Sequence, residues 1–172
     1  MMRTLLLCFL LVSMAACCGN VSCDCQGSPT DTLAFRFNLD PANGGYLPAQ
    51  VDSVYVRRVP LDAAQQLKTD SVLLVRPVAT VRQPILLSNT QPLPANGTRK
   101  LNQYRYVFRL ASRVRLPARP PRQYAISNVQ LAGDFQGDGC CTCYRNTKKA
   151  LTLDGKVYDQ TIAGQDTVVL SR

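Results

Sequence analysis

The chain has 172 residues and a formal net charge of +9, and all of its 11 acidic residues are aspartate. A chain of this length forms one ordinary domain. It contains no histidine, which excludes Ser–His–Asp and Cys–His catalytic sites and removes the commonest ligand of protein-bound metals. Pairs of aspartates could still do acid–base work of the kind found in glycosidases.

The first sixteen residues have the layout of an export signal. Arg3 precedes the apolar run LLLCFLLV at residues 5–12, and small residues follow the run. A membrane-spanning helix needs about 20 apolar residues, and proline, charged or polar residues interrupt every later stretch, so no transmembrane helix is expected. We predict a signal peptide at residues 1–16, a cysteine-rich tether at residues 17–30 and a single domain at residues 31–172.

The segment MAAC at residues 14–17 resembles the lipobox of bacterial lipoproteins, in which a hydrophobic residue and two small ones precede the modified cysteine. The resemblance implies that Cys17 carries a thioether-linked diacylglycerol, usually with a fatty acid such as palmitate on its amine. It also implies a lipid-anchored protein of the cell envelope, for which we favour the outer membrane. Two or three acyl chains hold a protein on a bilayer durably. Ordinary secretion, with cleavage after SMA, is the alternative.

Six further cysteines would remain in two groups near opposite ends of the mature chain. They are Cys18, Cys23, Cys25, Cys140, Cys141 and Cys143. Because thiols pair in an oxidising compartment, we expect disulfides between the two groups, each contributing about 4 to 5 kcal/mol on the chain-entropy model. Pairing of the adjacent Cys140 and Cys141 is disfavoured by geometry. The alternative is a zinc site that joins Cys23 and Cys25 to Cys140 and Cys143.

Most of the chain alternates between short strands and turn residues. In residues 32–39 the apolar side chains recur at every second position, which is the pattern of a half-buried strand. Asp154 and Gly155 predict a tight type I′ hairpin, and only residues 61–68 have a helical pattern. Other strands are predicted at residues 52–59, 71–81, 84–88, 123–133 and 166–171, and the hairpin lies within residues 150–159. With 11 prolines, mostly between strands, this pattern favours an all-β sandwich of the Ig-like, Greek-key kind.

The strongest predicted strand covers residues 104–116. Its aromatic residues share one face, and the other face carries Arg105, Arg109, Arg113 and Arg115. Such a stripe of guanidinium groups can bind lipid phosphates or an acidic polysaccharide. It can also be a solvated face that keeps the protein soluble, which is the reading we favour. No nucleic-acid partner is expected, because the aromatic residues needed for base stacking lie on the opposite face.

A short pattern of aspartate, then Ser or Thr, then an aliphatic residue occurs four times. It resembles the acceptor motif for O-glycosylation of exported proteins in some Gram-negative bacteria, and the implied acceptors are Thr32, Ser53, Ser71 and Thr167. A structural account is simpler, because aspartate closes turns and β-branched residues start strands. We favour the structural account, although the two accounts are compatible.

Together these patterns predict a lipid-anchored, disulfide-linked β-sandwich that acts at the cell envelope as a non-catalytic binding or structural module, without cofactor or metal. Its partner, besides the membrane, would be an anionic envelope polymer or another envelope protein. The alternatives are an anion-binding adhesin and a hydrolase built on aspartate pairs. The hydrolase requires two carboxyl groups that face each other at about 5 to 9.5 Å in a cleft.

Overall fold

The computed structural model describes residues 22, 23, 25, 31–62, 69–111, 122–162 and 164–172. Within these ranges the chain forms an all-β sandwich of two sheets, as the alternating sequence predicts, and its helical turns are three-residue 3-10 segments. None of the described helical segments is long and apolar enough to cross a membrane. The strands are β1 (Leu33–Phe37), β2 (Ser53–Pro60), β3 (Asp70–Val75), β4 (Ile85–Leu87), β5 (Tyr104–Leu110), β6 (Gln123–Asp138), β7 (Cys141–Leu153), β8 (Lys156–Asp159) and β9 (Thr167–Leu170).

The smaller sheet has the order β4-β1-β9, in which β1 runs parallel to β9 and antiparallel to β4. The larger sheet has the order β3-β2-β5-β6-β7-β8, and all of its neighbours are antiparallel. The chain leaves the larger sheet after β3, forms β4 in the smaller one, and returns as β5 beside β2. Because β1 and β9 pair, the start and the end of the domain lie side by side.

The inward side chains of both sheets form one apolar core. Leu33 and Phe35 of β1 and Phe108 of β5 are fully buried, and the rings of Phe35 and Phe108 meet edge to face with their centroids 5.1 Å apart. Full burial of one such side chain contributes about 1.5 to 3 kcal/mol relative to leaving it in water. The hydroxyl of Tyr124 bonds the hydroxyl of Tyr46 and donates to the carbonyl oxygen of Ser171 at 2.8 Å. The core therefore ties the C-terminal end of the chain to both sheets.

Several local predictions can be compared with the structure. Asp154 and Gly155 have φ angles of 48° and 87° between the paired residues Leu153 and Lys156, which confirms the predicted tight hairpin. The arginine-bearing strand predicted at residues 104–116 ends at Leu110 as β5, and residues 112–120 lie outside the described ranges. Residues 63–68, most of the predicted helix, also lie outside them.

One strand continues beyond its predicted end at residue 133. Residues 134–138 continue β6 and pair with β7 as far as Asp138 opposite Cys141. Their side chains are mostly polar, so the period-two apolar signal that marks a half-buried strand is missing there. The pairing makes a long hairpin of β6 and β7, whose outer part, residues 133–146, is here called the ribbon.

Replacing Phe108 with alanine should lower the free energy of unfolding by about 3 to 5 kcal/mol, because it leaves a cavity between the sheets. Urea denaturation followed by circular dichroism measures the change. Arg109→Ala, at the exposed neighbouring position, is the matched control and should change stability by less than about 1 kcal/mol. Equal losses in the two variants would contradict a core centred on Phe108.

Candidate functional site: the disulfide-linked ribbon

The ribbon is the outer end of the β6–β7 hairpin. Its register pairs Gly133 with Asn146, Phe135 with Tyr144 and Asp138 with Cys141. Gly139 opens the turn with a φ of 61°, which a type II′ hairpin turn requires at its first central position. Most of the side chains along the ribbon are exposed, so apolar burial alone would hold it weakly.

Two disulfides attach the amino-terminal segment to the ribbon. Cys23 is bonded to Cys141 and Cys25 to Cys143, each with Cα atoms 5.5 Å apart, within the normal range for a disulfide. Cys140 is disulfide-bonded as well. Bonding between the two cysteine groups is therefore confirmed, and the adjacent pair Cys140–Cys141 does not form. Cys17 and Cys18 lie outside the described residues.

The same bridges bear on the zinc hypothesis. A four-thiolate site needs free sulfurs on Cys23, Cys25, Cys140 and Cys143, and in the structure all four are bonded to other sulfurs. Among the described residues no group of three or more histidine, cysteine or acidic side chains could hold a metal ion. In the oxidised protein these cysteines serve as covalent links.

The two bridges also give the attached segment a direction. Cys25 lies beside Cys143, and Cys23 lies beside Cys141, which is the position next to the turn. Followed toward the amino terminus, the chain thus runs along β7 toward the tip of the ribbon. Asp31 adds a polar link at the ribbon's base, where its backbone amide donates to Oδ1 of Asn146 at 3.1 Å and its Oδ1 accepts from Nδ2 of Asn146 at 2.9 Å.

The ribbon carries an aromatic pair on the face opposite the disulfides. Side chains alternate between faces along each strand, and the register places Phe135 and Tyr144 together on the face that Cys141 and Cys143 do not use. Their ring centroids are 5.3 Å apart in an edge-to-face arrangement. Tyr144 lies across Gly133, because a Cβ atom there would come within 2.6 Å of Cζ of the tyrosine ring.

The arginine stripe lies on the outer face of the larger sheet. Arg105 and Arg109 are exposed on β5, and Arg113 and Arg115 lie outside the described residues. The neighbouring strand β2 adds the exposed Arg57 opposite Val107, and Tyr55 opposite Arg109, whose guanidinium carbon lies 5.1 Å from the centre of the tyrosine ring. The alternating pattern of residues 52–59 could have indicated that Tyr55 and Arg57 share the outward face of a strand. It could not show that this strand, β2, lies beside β5.

Two further arginines are buried and belong to the fold. Arg58 pairs with Asp70 at 2.5 Å and donates to the carbonyl oxygen of Pro94 at 3.0 Å. Arg76 lines an open groove of about 430 Å³ between the edge strands β3 and β4, and its Nη2 donates to the carbonyl oxygens of Val81 and Gln83. Burial lowers the pKa of Arg76. Its buried Nη1 has no hydrogen-bond partner among the described residues, and it is shielded from solvent, so this nitrogen is not available to a ligand in the groove.

Several aspartates are held by cations or by backbone groups. Asp154 pairs with Arg122 and Asp159 with Lys148, each at 3.1 Å. Hydrogen bonds from Thr161, helped by Lys148, lower the pKa of Asp159 to about 2. Asp70 pairs with Arg58. A carboxyl group that acts as a general acid needs a raised pKa instead, so Asp159 is a poor candidate for that role in a hydrolytic pair.

The four predicted glycosylation positions all lie at the start of a strand, as the structural account of that pattern expects. Thr32 immediately precedes β1, Ser53 and Thr167 are the first residues of β2 and β9, and Ser71 is the second residue of β3. Ser53 is only 8% exposed, so a sugar on its hydroxyl would have to displace its neighbours. Ser71 is exposed and is the most accessible of the four.

The chain matches no protein-family model, and no curated protein or solved structure is detectably similar to it. Function is therefore inferred from the ribbon, the disulfides and the arginine face. Of these, the ribbon has the most specific geometry, because two covalent links set its position relative to the amino-terminal segment.

Removing one bridge with the double change Cys25→Ala and Cys143→Ala should lower the free energy of unfolding by only about 1 to 3 kcal/mol. The loss is small because Cys23–Cys141, two positions away on both sides, still closes the same loop of about 118 residues. Urea denaturation of the oxidised proteins measures the change, and full reduction of both proteins should remove the difference.

Digestion without reduction, followed by mass spectrometry, provides the control. It should recover peptides that link residue 23 to residue 141 and residue 25 to residue 143. A Cys23–Cys25 bridge within one peptide, or a loss of stability of about 5 kcal/mol from the single bridge, would contradict the arrangement.

Proposed function

We propose that the protein is a lipid-anchored, non-catalytic module of the bacterial cell envelope, and that its disulfide-linked ribbon holds the β-sandwich close to the membrane. The observation that carries the proposal is the bonding of Cys23 and Cys25 to Cys141 and Cys143. Cys23 and Cys25 follow Cys17, the last residue of the segment that resembles a lipobox, by six and eight positions. The bridges require an oxidising compartment, which agrees with export.

The bridges change how far the domain can move from its anchor. A free tether at residues 17–30 could extend over about 45 to 50 Å at 3.3 to 3.6 Å per residue. With Cys23 bonded to the ribbon, the lipidated Cys17 is six positions along the chain from a folded part of the protein, a reach of about 20 Å. The domain is then held close to the membrane by a short tether. Its ribbon faces the bilayer, and its remaining surfaces face away from the bilayer.

We propose a non-catalytic role because the chain lacks or neutralises the side chains that commonly act as general acids and bases. The chain has no histidine and no glutamate, and Asp70, Asp154 and Asp159 are each paired with a cation. A hydrolase would have to use other aspartates. A binding or structural role requires none of these groups to be reactive and fits a domain whose most distinctive feature is its covalent attachment.

A second candidate function is binding of an anionic envelope polymer by the arginine face. Three exposed arginines, Arg57, Arg105 and Arg109, share the outer surface of β2 and β5. In the described residues, the outward positions of β2, β3 and β5 include no carboxylate that could neutralise them. Guanidinium groups at neighbouring positions can contact successive sulfate or carboxylate groups of a polysaccharide.

The lipid anchor can be tested on the native protein extracted from bacterial membranes with detergent. Intact mass should correspond to a chain that starts at Cys17 and carries a diacylglycerol, with or without an amide-linked acyl group. The variant Cys17→Ser should lack this modification and keep its signal peptide, whereas Cys18→Ser should be lipidated normally. A native protein recovered from the soluble fraction with an unmodified Cys17 would refute the proposal.

The arginine face can be tested on a column of acidic polysaccharide. The triple variant Arg57→Gln, Arg105→Gln and Arg109→Gln should elute at lower salt than the parent, because charged contacts at the outer face are lost. The control replaces Arg36, Arg82 and Lys100, all exposed elsewhere, and changes the net charge equally. If both triple variants elute together, the retention reflects net charge and the arginine face is not a binding site.

A further inference from the structure

The aromatic pair of the ribbon has no role in the core of the sandwich. Phe135 is 73% exposed, and its main described aromatic neighbour is Tyr144, which lies on the same face. The two rings together present apolar surface to water, and burying that surface against an apolar partner would be favourable. The disulfides cannot provide that cover, because Cys141 and Cys143 are on the opposite face.

The direction of the attached segment indicates what covers the pair. From Cys25 to Cys23 the chain runs toward the turn of the ribbon, so the lipid anchor is reached from the tip side. Phe135 is three residues along β6 from Asp138, the partner of Cys141, a distance of about 10 Å. The segment from Cys23 to Cys17 can span about 20 Å at most. A bilayer that holds the anchor is therefore within reach of the aromatic pair.

The charges around the pair indicate how it would contact the bilayer. Partial desolvation, together with the carboxylates of Asp31 and Asp134, raises the pKa of Tyr144, and Arg145 is the paired neighbour of Asp134. The described charges around the pair thus have both signs, and Asp31, Asp134 and Arg145 give no excess of cations that would favour anionic lipids. Phenylalanine and tyrosine rings contribute apolar contact, and tyrosine also has a polar end suited to the headgroup region.

We propose that Phe135 and Tyr144 form a lipid-contacting surface that inserts into the interfacial region of the membrane to which the protein is anchored. The surface works with the lipid on Cys17, so this inference rests on the proposed function. Acyl chains prevent dissociation, whereas the aromatic pair fixes which side of the ribbon faces the bilayer. The sandwich would then be held in one orientation relative to the bilayer and would not rotate freely about its tether.

The chain contains no tryptophan, so one substitution introduces a unique fluorescent reporter. The lipidated variant Phe135→Trp, reconstituted in phosphatidylcholine vesicles, should have blue-shifted emission that is quenched by phosphatidylcholine with brominated acyl chains. Tyr144→Trp is a second reporter on the same face and should behave alike. High salt should leave the quenching unchanged, because the contact is apolar.

The matched control is Val157→Trp. Val157 is also strongly exposed, at 70%, but it pairs with Thr152, eleven residues along β7 from Cys141 and so about 35 Å from the tip. Its emission should be neither shifted nor quenched. Circular dichroism and the disulfide map verify that each variant is folded.

Each other outcome has a defined meaning. If the vesicles carry the protein when floated on a density gradient but neither reporter is quenched more than Val157→Trp, the surface is refuted and the lipid anchor stands. Quenching that disappears in high salt would refute apolar insertion. If the protein does not float with the vesicles, the anchor is refuted, and the proposed surface with it.

Discussion

Both proposed membrane contacts, through the lipid anchor and through the aromatic pair, depend on the covalent attachment of Cys23 and Cys25 to the ribbon. A two-stranded ribbon with mostly exposed side chains is marginally stable by itself in water. The bridges close long loops, which lowers the entropy of the unfolded chain, and they keep the ribbon and the amino-terminal segment together. Disulfides persist in oxidising compartments, which is consistent with the export that we propose.

The sandwich stabilises the base of the ribbon in a different way. Its core, built around pairs such as Phe35 and Phe108, is apolar and independent of oxidation. The parallel pairing of β1 with β9 brings both ends of the domain together, and Asp31, just before β1, bonds Asn146 at the base of the ribbon. Asp31 follows Cys25 by six positions in the sequence, so the covalent attachment and the start of the domain are close along the chain.

The two candidate contact surfaces differ in their physical chemistry. The aromatic pair of the ribbon is apolar with balanced charge nearby, which suits the interfacial region of a bilayer. The outer face of β2 and β5 is cationic and includes Tyr55 under Arg109, which suits a hydrated polyanion. Membrane contact at the ribbon would leave the arginine face available to a component of the envelope. Tethering and binding could then be performed by separate parts of one small domain.

The sequence by itself determined the features that depend on neighbours along the chain. Alternating side chains predicted most strands, Asp154 and Gly155 predicted their hairpin, and the two cysteine groups predicted bonding between them. Only the tertiary structure decided the features that depend on distant segments. It selected Cys141 for Cys23 and Cys143 for Cys25, it brought Arg57 and Tyr55 beside β5, and it revealed the ribbon where polar residues conceal the strand pattern. Which strands become neighbours is set by the packing of the whole chain, and a local pattern of residue types does not contain that information.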